Sequence, residues 1–123
     1  MKISELYTTE LHEAGSEVQI LDDQGNQTGL FLTVMGMDSK EFRQHTKRHQ
    51  KAYLESLREK KDFDEEAMMI RGLLDCTVGW RGTDEKFTKK LCGELYTKAP
   101  YIRDQLDTFM GARENFTKAK PKS

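Results

Sequence analysis

The chain has 123 residues, of which 36% are hydrophobic and 33% are charged, and its formal net charge is −1. This length fits one domain that buries roughly two-thirds of its unfolded surface. The near-neutral charge argues against a general nucleic-acid or membrane-surface binder, which carries a strong basic excess. Because no apolar run has the length of a membrane span or of a signal peptide, we expect a cytoplasmic protein.

Charge is distributed unevenly along the chain. Residues 1–26 carry six acids and one base, whereas residues 40–61 carry eight bases and three acids. Two interpretations stay open. The two segments can neutralise each other within the fold, or residues 40–61 can present a basic face to an acidic partner.

The N-terminal part predicts a flexible segment followed by a β-hairpin. Residues 1–14 are polar and are expected to be flexible, so the domain is placed at residues 15–116. Two apolar runs, 18–21 and 30–35, flank an acidic stretch that contains Gly25-Asn26. This pattern predicts two strands joined by an exposed acidic turn.

A first helix is predicted at about residues 40–61. Asp38 or Ser39 can cap it, because a short side-chain oxygen accepts hydrogen bonds from the unpaired amides of the first turn. The basic residues mostly cover the rest of the helix. One face is formed by residues at spacings of three and four: Phe42, Thr46, His49, Tyr53 and Leu57.

A second helix is predicted from Asp62 or Asp64 to Val78. Apolar residues lie on nearly every side of this helix, which is typical of a central core helix. Gly72 in its middle costs about 1 kcal/mol relative to Ala. We therefore expect a close crossing with a neighbouring helix at this residue.

The last third predicts a turn and two helices. Residues 79–84 predict the turn, Thr88 can cap a short helix over 89–96, and Pro100 suits the first turn of a final helix. Residues 117–123 predict a disordered basic tail. The expected fold is α+β and mostly α, with the N-terminal β-hairpin packed on a small bundle of about four helices. The final helix has one apolar face with a basic end: Ile102, Leu106, Phe109 and Arg113, flanked by Met110.

No arrangement of residues indicates catalysis or a metal site. His45 and His49 are four residues apart, a spacing that can bind zinc, but Thr46 stands where the zinc-protease motif requires Glu. We expect His49 to pack with Phe42 and Tyr53, and His45 to lie at the edge. We expect no metal, no cofactor and no enzymatic activity.

The two cysteines, Cys76 and Cys92, lie within helix-like segments. They are expected to be small buried residues of a reducing compartment, because two separated cysteines do not form the disulfide framework of a small secreted domain.

Two features can serve either structure or binding. Trp80, the only tryptophan, is expected in the core, although its glycine-flanked turn would also suit an anchor for a partner. The bases Lys47, Arg48 and Lys51 form a solvated face or a contact for phosphates, and the near-zero net charge disfavours nucleic acid.

Several pieces of the chain, taken in order, resemble signatures of a known family. Residues 22–29 resemble a "D-x-x-G-x-x-T-G" hairpin, and residues 36–43 are similar to a "G-x-D-S-x-x-F/Y-R" step into a first helix. Residues 78–82, Val-Gly-Trp-Arg-Gly, resemble a "V-x-G-W" region, although no residue separates Val78 from Gly79.

The remaining pieces lie in the last third. Phe87-Thr88 resembles an "F-S/T" helix start, and residues 100–109 with 113–116 are similar to "P-x-I/V-x-x-Q-V/I-x-x-F…R-x-N-F". In order and spacing, the chain resembles the tail assembly chaperones of long-tailed bacteriophages.

This resemblance implies a non-catalytic protein of the host cell cytoplasm. Such chaperones bind the tape measure protein, keep it soluble during tail tube assembly and are absent from the mature virion. It also implies contact with the tail tube protein through a frameshifted longer form, and it leaves self-association open. The alternatives are a structural tail component, such as a tube or connector subunit, and a small nucleic-acid-binding regulator. The candidate partner-binding residues are Lys47, Arg48, Lys51, Trp80, Arg103, Met110, Arg113 and Phe116.

Overall fold

The computed structural model describes residues 1–117, which fold into a mostly helical α+β structure. Within this range, three strands form one antiparallel sheet in the order β1-β2-β3: Ser16–Leu21 (β1), Gln27–Val34 (β2) and Thr77–Arg81 (β3). Short 3₁₀ turns cover Ile3–Leu6 and Arg113–Phe116. The predicted fold class is confirmed. The same residues 1–117 contain five α-helices: Thr9–Ala14 (α1), Lys40–Glu59 (α2), Glu65–Cys76 (α3), Lys89–Lys98 (α4) and Pro100–Met110 (α5).

The predicted hairpin forms around a turn that Asp22 organises. Its carboxylate accepts hydrogen bonds from the backbone N–H groups of Gln24 and Asn26, both at 2.9 Å. Gly25 adopts a φ of +84°, which favours glycine because it has no Cβ. The chain then returns as β2, and Val18 pairs with Leu32.

The third strand was not predicted from the sequence. Residues 79–84 were expected to form a turn after a helix that reached Val78, but α3 ends at Cys76 and the chain becomes extended at Thr77. Trp80 then pairs with Leu32 across β2 and β3. Pairing with β2 satisfies backbone groups that a turn would leave unpaired. The strand was missed because Gly79 and Gly82 are typical of turns.

The predicted helix starts are confirmed at each cap. Side-chain oxygens of Ser39, Asp64 and Thr88 accept hydrogen bonds from the N–H groups at the third helical position. Pro100 stands at the start of α5, where its missing N–H is no loss.

The core lies between one face of the sheet and helices α3, α4 and α5. The hydroxyl of Thr77 donates to the Leu73 carbonyl at 2.6 Å, so Tyr96 donates its own O–H to Thr77 at 2.7 Å. This pairing satisfies the polar end of the largest buried side chain. The apolar core residues are Ile20, Leu32, Val34, Leu73, Cys76, Cys92, Tyr96, Ile102, Leu106 and Met110.

The close crossing predicted at Gly72 is confirmed. A Cβ built on Gly72 would lie 2.1 Å from a ring atom of His45, which projects from α2. The missing side chain therefore lets α2 and α3 pack together through the imidazole of His45.

Residues before the predicted domain boundary at residue 15 contribute to the packing. His12 is buried in α1 and stacks on Phe116, with ring centroids 4.8 Å apart. Its Nδ1 accepts a hydrogen bond from Asp38 N at 3.1 Å. The predicted disordered tail, apart from Thr117, lies outside the described residues.

Candidate partner-binding surface

Helix α2 is a surface helix along its whole length. A helix of twenty residues is about 30 Å long, and yet none of the residues of Lys40–Glu59 is buried. The helix begins at the cap provided by Ser39 and ends at Lys60, which adopts a left-handed φ of 55°. Most of its perimeter therefore remains available to a partner.

The C-terminal third of α2 exposes three large apolar side chains. Tyr53, Leu54 and Leu57 are 47%, 58% and 60% exposed, and we call these three residues the α2 ridge. Phe63, which follows the helix, packs edge-on against Tyr53 with ring centroids 5.6 Å apart. Apolar residues that adjoin at helical spacing on a surface mark it as a place where another apolar element binds.

A cavity lies beside the α2 ridge. It has a volume of about 330 Å³, and its lining combines apolar and small residues with charged ones: Ala52, Ser56, Phe63, Ala67 and Met68, with Glu55, Glu59, Lys61, Asp62 and Asp64. None of the three ridge residues lines this cavity, and its four carboxylates make it a poor receptor for an apolar side chain. Met68 adds an adaptable wall, because its unbranched side chain adjusts to irregular surfaces.

Cations accompany the ridge along α2. Of the bases predicted as contacts there, Lys47 and Lys51 are exposed. Arg48 instead forms an ion pair with Asp75 of α3, at 2.8 Å between Nη2 and Oδ2. The ridge is therefore an apolar strip with basic residues on the same helix.

The acidic N-terminal segment does not pair directly with these bases. Within residues 1–117, no ion pair joins residues 40–61 to an acid of residues 1–26. Glu17 pairs instead with Arg81, at 2.7 Å, and this hydrogen bond lowers the pKa of the Glu17 carboxyl. Helices α1 and α2 nevertheless contact each other, so neutralisation within the fold and a basic face for an acidic partner both stay predictions.

Trp80 lies at the edge of the core. Its ring packs edge-on against Phe87 with centroids 5.2 Å apart, and its Nε1 donates to the Glu85 carbonyl at 2.8 Å. One side of the half-buried ring lines a groove of about 500 Å³ between the sheet and α4, together with Leu91 and Leu95. The predicted packing of Trp80 on the core is confirmed, and its role as an anchor for a partner stays a prediction.

Two of the predicted contact residues are fully buried, which corrects their assignment. Met110 and Phe116 are each 1% exposed. Met110 points into the core from α5, and Phe116 is covered by His12 and Phe109. A partner cannot reach either side chain in this conformation.

The two arginines near the C-terminus make internal ion pairs. Arg103 lies 3.6 Å from Glu66, and its side chain is largely covered. Arg113 donates two hydrogen bonds to Asp38, at 2.7 and 3.0 Å, and these bonds lower the pKa of that carboxyl. These two hydrogen bonds hold the 3₁₀ turn Arg113–Phe116 against the loop before α2.

The histidines differ from the prediction in their positions. His45 lies between α2 and α3 against Gly72, and burial lowers its pKa. His49 packs against Phe63, with ring centroids 5.2 Å apart. In the part of the chain that the structure describes, no group of three His, Cys, Asp or Glu residues is placed to hold a metal ion.

The cysteines are free thiols in the core, as predicted. Burial raises the pKa of Cys76 to about 12 and also raises the pKa of Cys92. Because the thiolate is the reactive form, neither residue acts as a nucleophile near neutral pH.

The exposure of the α2 ridge was not predicted from the sequence. Tyr53 and Leu57 were placed on one face of the helix, but Leu54 was not singled out. The available signal was the number of large apolar residues near the end of a helix rich in charge. That signal does not distinguish a face covered by the same chain from a face left open.

None of the helices within residues 1–117 is long and apolar enough to cross a membrane. The function must be argued from the surface of the chain itself. Comparison with protein-family models, with curated proteins and with solved structures finds no match in any of the three.

Proposed function

We propose that this protein is a non-catalytic binding protein that holds an apolar helical segment of a partner on the α2 ridge. The observation that carries the proposal is that α2 buries none of its residues and exposes Tyr53, Leu54 and Leu57 together. Because the sequence also resembles the tail assembly chaperones of long-tailed bacteriophages, the role that we propose is that of such a chaperone in the host cytoplasm. The partner is then the tape measure protein, and the chaperone is absent from the mature virion.

The physical argument concerns how an apolar helix is kept soluble. A long helical protein with an uncovered apolar stripe aggregates, because burying that stripe against another copy is favourable. The α2 ridge offers an alternative surface of matching shape, since a helix laid along it can place side chains at i, i+3 and i+4 against the three ridge residues. Moderate affinity for each copy is sufficient when many copies bind along one partner chain.

The charges indicate which partner helices fit. The exposed bases Lys47, Lys51 and Arg58 outnumber the exposed acids Glu55 and Glu59 on this part of α2. A partner segment with acidic residues beside its apolar stripe is therefore favoured. Charges at the edge of an interface act mainly on the association rate and on specificity. Binding should therefore weaken as salt is raised.

The test is co-expression with the tape measure protein of the same phage, followed by measurement of how much partner is soluble and co-purifies. The wild-type chain is expected to solubilise the partner with several copies bound. The variant Leu54→Glu/Leu57→Glu should lose this activity, because two charges then interrupt the ridge.

A matched control separates binding from general surface change. Val78→Glu/Tyr101→Glu also replaces two exposed apolar residues, 50% and 39% exposed, but on β3 and α5. This control should keep the partner soluble and co-purify with it to the same extent as the wild-type chain. An insoluble partner with the wild-type chain, or full activity of the ridge variant, would contradict the proposal. Stoichiometric presence of the protein in purified virions would instead identify a structural tail component.

A further inference from the structure

Helix α2 is held against the rest of the fold by one narrow face. The residues of that face recur at spacings of three and four, and each is only half-buried, because the helix buries no residue completely. The face consists of Glu41, Phe42, His45, Arg48, His49, Ala52 and Ser56. Three of these side chains are cationic or become cationic when they bind a proton.

The three basic side chains lie within one turn of α2. His45 fits against Gly72 of α3, where a Cβ would lie 2.1 Å from its ring. His49 is its neighbour, with ring centroids 6.1 Å apart, and packs edge-on against Phe63. Arg48 lies between them in sequence and pairs with an acid of α3. Both imidazoles therefore belong to the contact that holds α2 in place.

The acid that pairs at this contact is Asp75 of α3. Its Oδ2 lies 2.8 Å from Nη2 of Arg48, and its charge also acts on His45. Asp107 of α5 lines the same cavity of about 40 Å³ as His45. Glu41 stands one turn before His45, and its Oε2 is buried without a hydrogen bond within the described chain. Neither Asp107 nor Glu41 forms an ion pair with a histidine within residues 1–117.

The connection between α2 and α3 adds two further acids. Asp62 and Asp64 flank Phe63, and both are exposed. Asp64 accepts a hydrogen bond from the Ala67 N–H as the cap of α3. Neither acid pairs with His45 or His49 among residues 1–117. A proton on His45 therefore adds a second cation beside Arg48, where the nearest acid is already paired.

We propose that the contact between α2 and α3 is sensitive to acid, and that protonation of His45 releases α2 from α3 while the sheet, α4 and α5 stay folded. A partly buried cation without a free counter-charge is unfavourable, and opening returns it to water. The fully buried core contains no residue of α2, so it does not need this helix. Opening exposes the apolar side chains that line the cavity beside His45, which are Met69, Leu73 and Met110.

The direction of the pH effect follows from the surroundings of His45. Burial is the largest cause that lowers its pKa in the closed state, followed by the charges of His49 and Arg48, whereas Asp75 raises it. The open state therefore binds the proton more readily. The closed state is favoured fully above the ordinary histidine pKa of about 6.5, and this preference is lost as the pH falls through the window below it.

The test uses the full chain without a partner and follows two fluorescence signals from pH 7.5 to pH 5. The dye ANS reports exposed apolar surface, and Trp80 reports the sheet, because its ring packs against Phe87. In the wild-type protein, ANS fluorescence should rise several-fold below pH 6.5 while the Trp80 emission stays native. His45→Gln should remove the rise, because glutamine does not titrate.

Two further variants separate this role from a general loss of stability. Asp75→Asn keeps both histidines but removes the partner of Arg48, so the rise should move to higher pH. His12→Gln is the matched control, because its amide oxygen can accept the Asp38 N–H that Nδ1 of His12 accepts. This control should show the wild-type rise, and circular dichroism at pH 7.5 verifies that each variant folds.

Three results would overturn the inference. They are a wild-type protein without the ANS rise, a rise that persists in His45→Gln, and a change in Trp80 emission that accompanies the rise, since the last means that the whole domain unfolds. The inference uses neither the α2 ridge nor a tape measure protein, so it and the proposed function can fail separately.

Discussion

Helices α5 and α2 are both amphipathic, but only α5 contributes fully buried residues to the core, whereas Phe42 of α2 packs on its edge. The eleven residues of α5 include Ile102, Leu106 and Met110, which are at most 3% exposed. The twenty residues of α2 include none that is buried. An apolar face on a helix therefore predicts that another surface covers that face. It does not say whether the covering surface belongs to the same chain or to another.

The largest expected difference between α5 and α2 is the loss of stability when a leucine side chain is removed from each helix. Leu106→Ala deletes a fully buried side chain and should lower the free energy of unfolding by about 2–5 kcal/mol, because it loses apolar contacts and leaves a cavity. Leu57→Ala should change it by less than about 0.5 kcal/mol, as for other surface substitutions. Urea unfolding, followed by the fluorescence of Trp80, measures both values.

Equal losses for the two alanine variants would mean that the C-terminal part of α2 is covered in solution by its own chain. That result would remove the basis for treating the α2 ridge as a binding surface.

The second prediction concerns the place where α2 does pack closely. Gly72→Ala puts a Cβ at 2.1 Å from the His45 ring, so the imidazole or the helix must shift. The expected destabilisation is about 1–3 kcal/mol, typical of overpacking, despite the better helix propensity of Ala. Thermal unfolding measures it.

Gly93→Ala in α4 is the matched control. Its Cβ would lie 3.4 Å from the nearest side-chain atom, which is an ordinary contact. This variant should be neutral or more stable by up to about 1 kcal/mol. A Gly72→Ala protein that gains stability as Gly93→Ala does would show that α2 moves away from α3 without cost.

The smallest expected effect is on how stability changes with pH, through the buried imidazole of His45 that packs against Gly72. Burial lowers the pKa of His45 in the folded protein, with smaller contributions from the nearby charges of His49 and Arg48, while Asp75 opposes the shift. Between the ordinary pKa of about 6.5 and the lower folded value, the unfolded chain binds more protons. Stability contributed by neutral His45 is therefore complete above that window and is lost as the pH falls through it.

Thermal unfolding from pH 7 to pH 5 tests this contribution. His45→Gln should lose less stability over this range than the wild-type protein, because glutamine does not titrate. An identical decline in both proteins would assign the pH dependence to other groups.

The elements that the sequence predicted correctly depend on short-range chemistry. Ser39, Asp64 and Thr88 cap helices through hydrogen bonds to residues three positions further along the chain. Asp22 and Gly25 form the hairpin turn within five residues. Such interactions need no knowledge of the rest of the fold, so the hairpin, the helix starts and the α+β class follow from the sequence by itself.

Only the tertiary structure decided which surfaces are covered. The strand β3 exists because the edge of β2 offers it hydrogen-bonding partners, although its own sequence predicts a turn. Phe116 is buried because His12, more than a hundred residues away in sequence, stacks on it. The α2 ridge is exposed because the core is completed by α3, α4 and α5 without it. Burial depends on contacts between distant segments, and a local pattern of apolar residues does not contain that information.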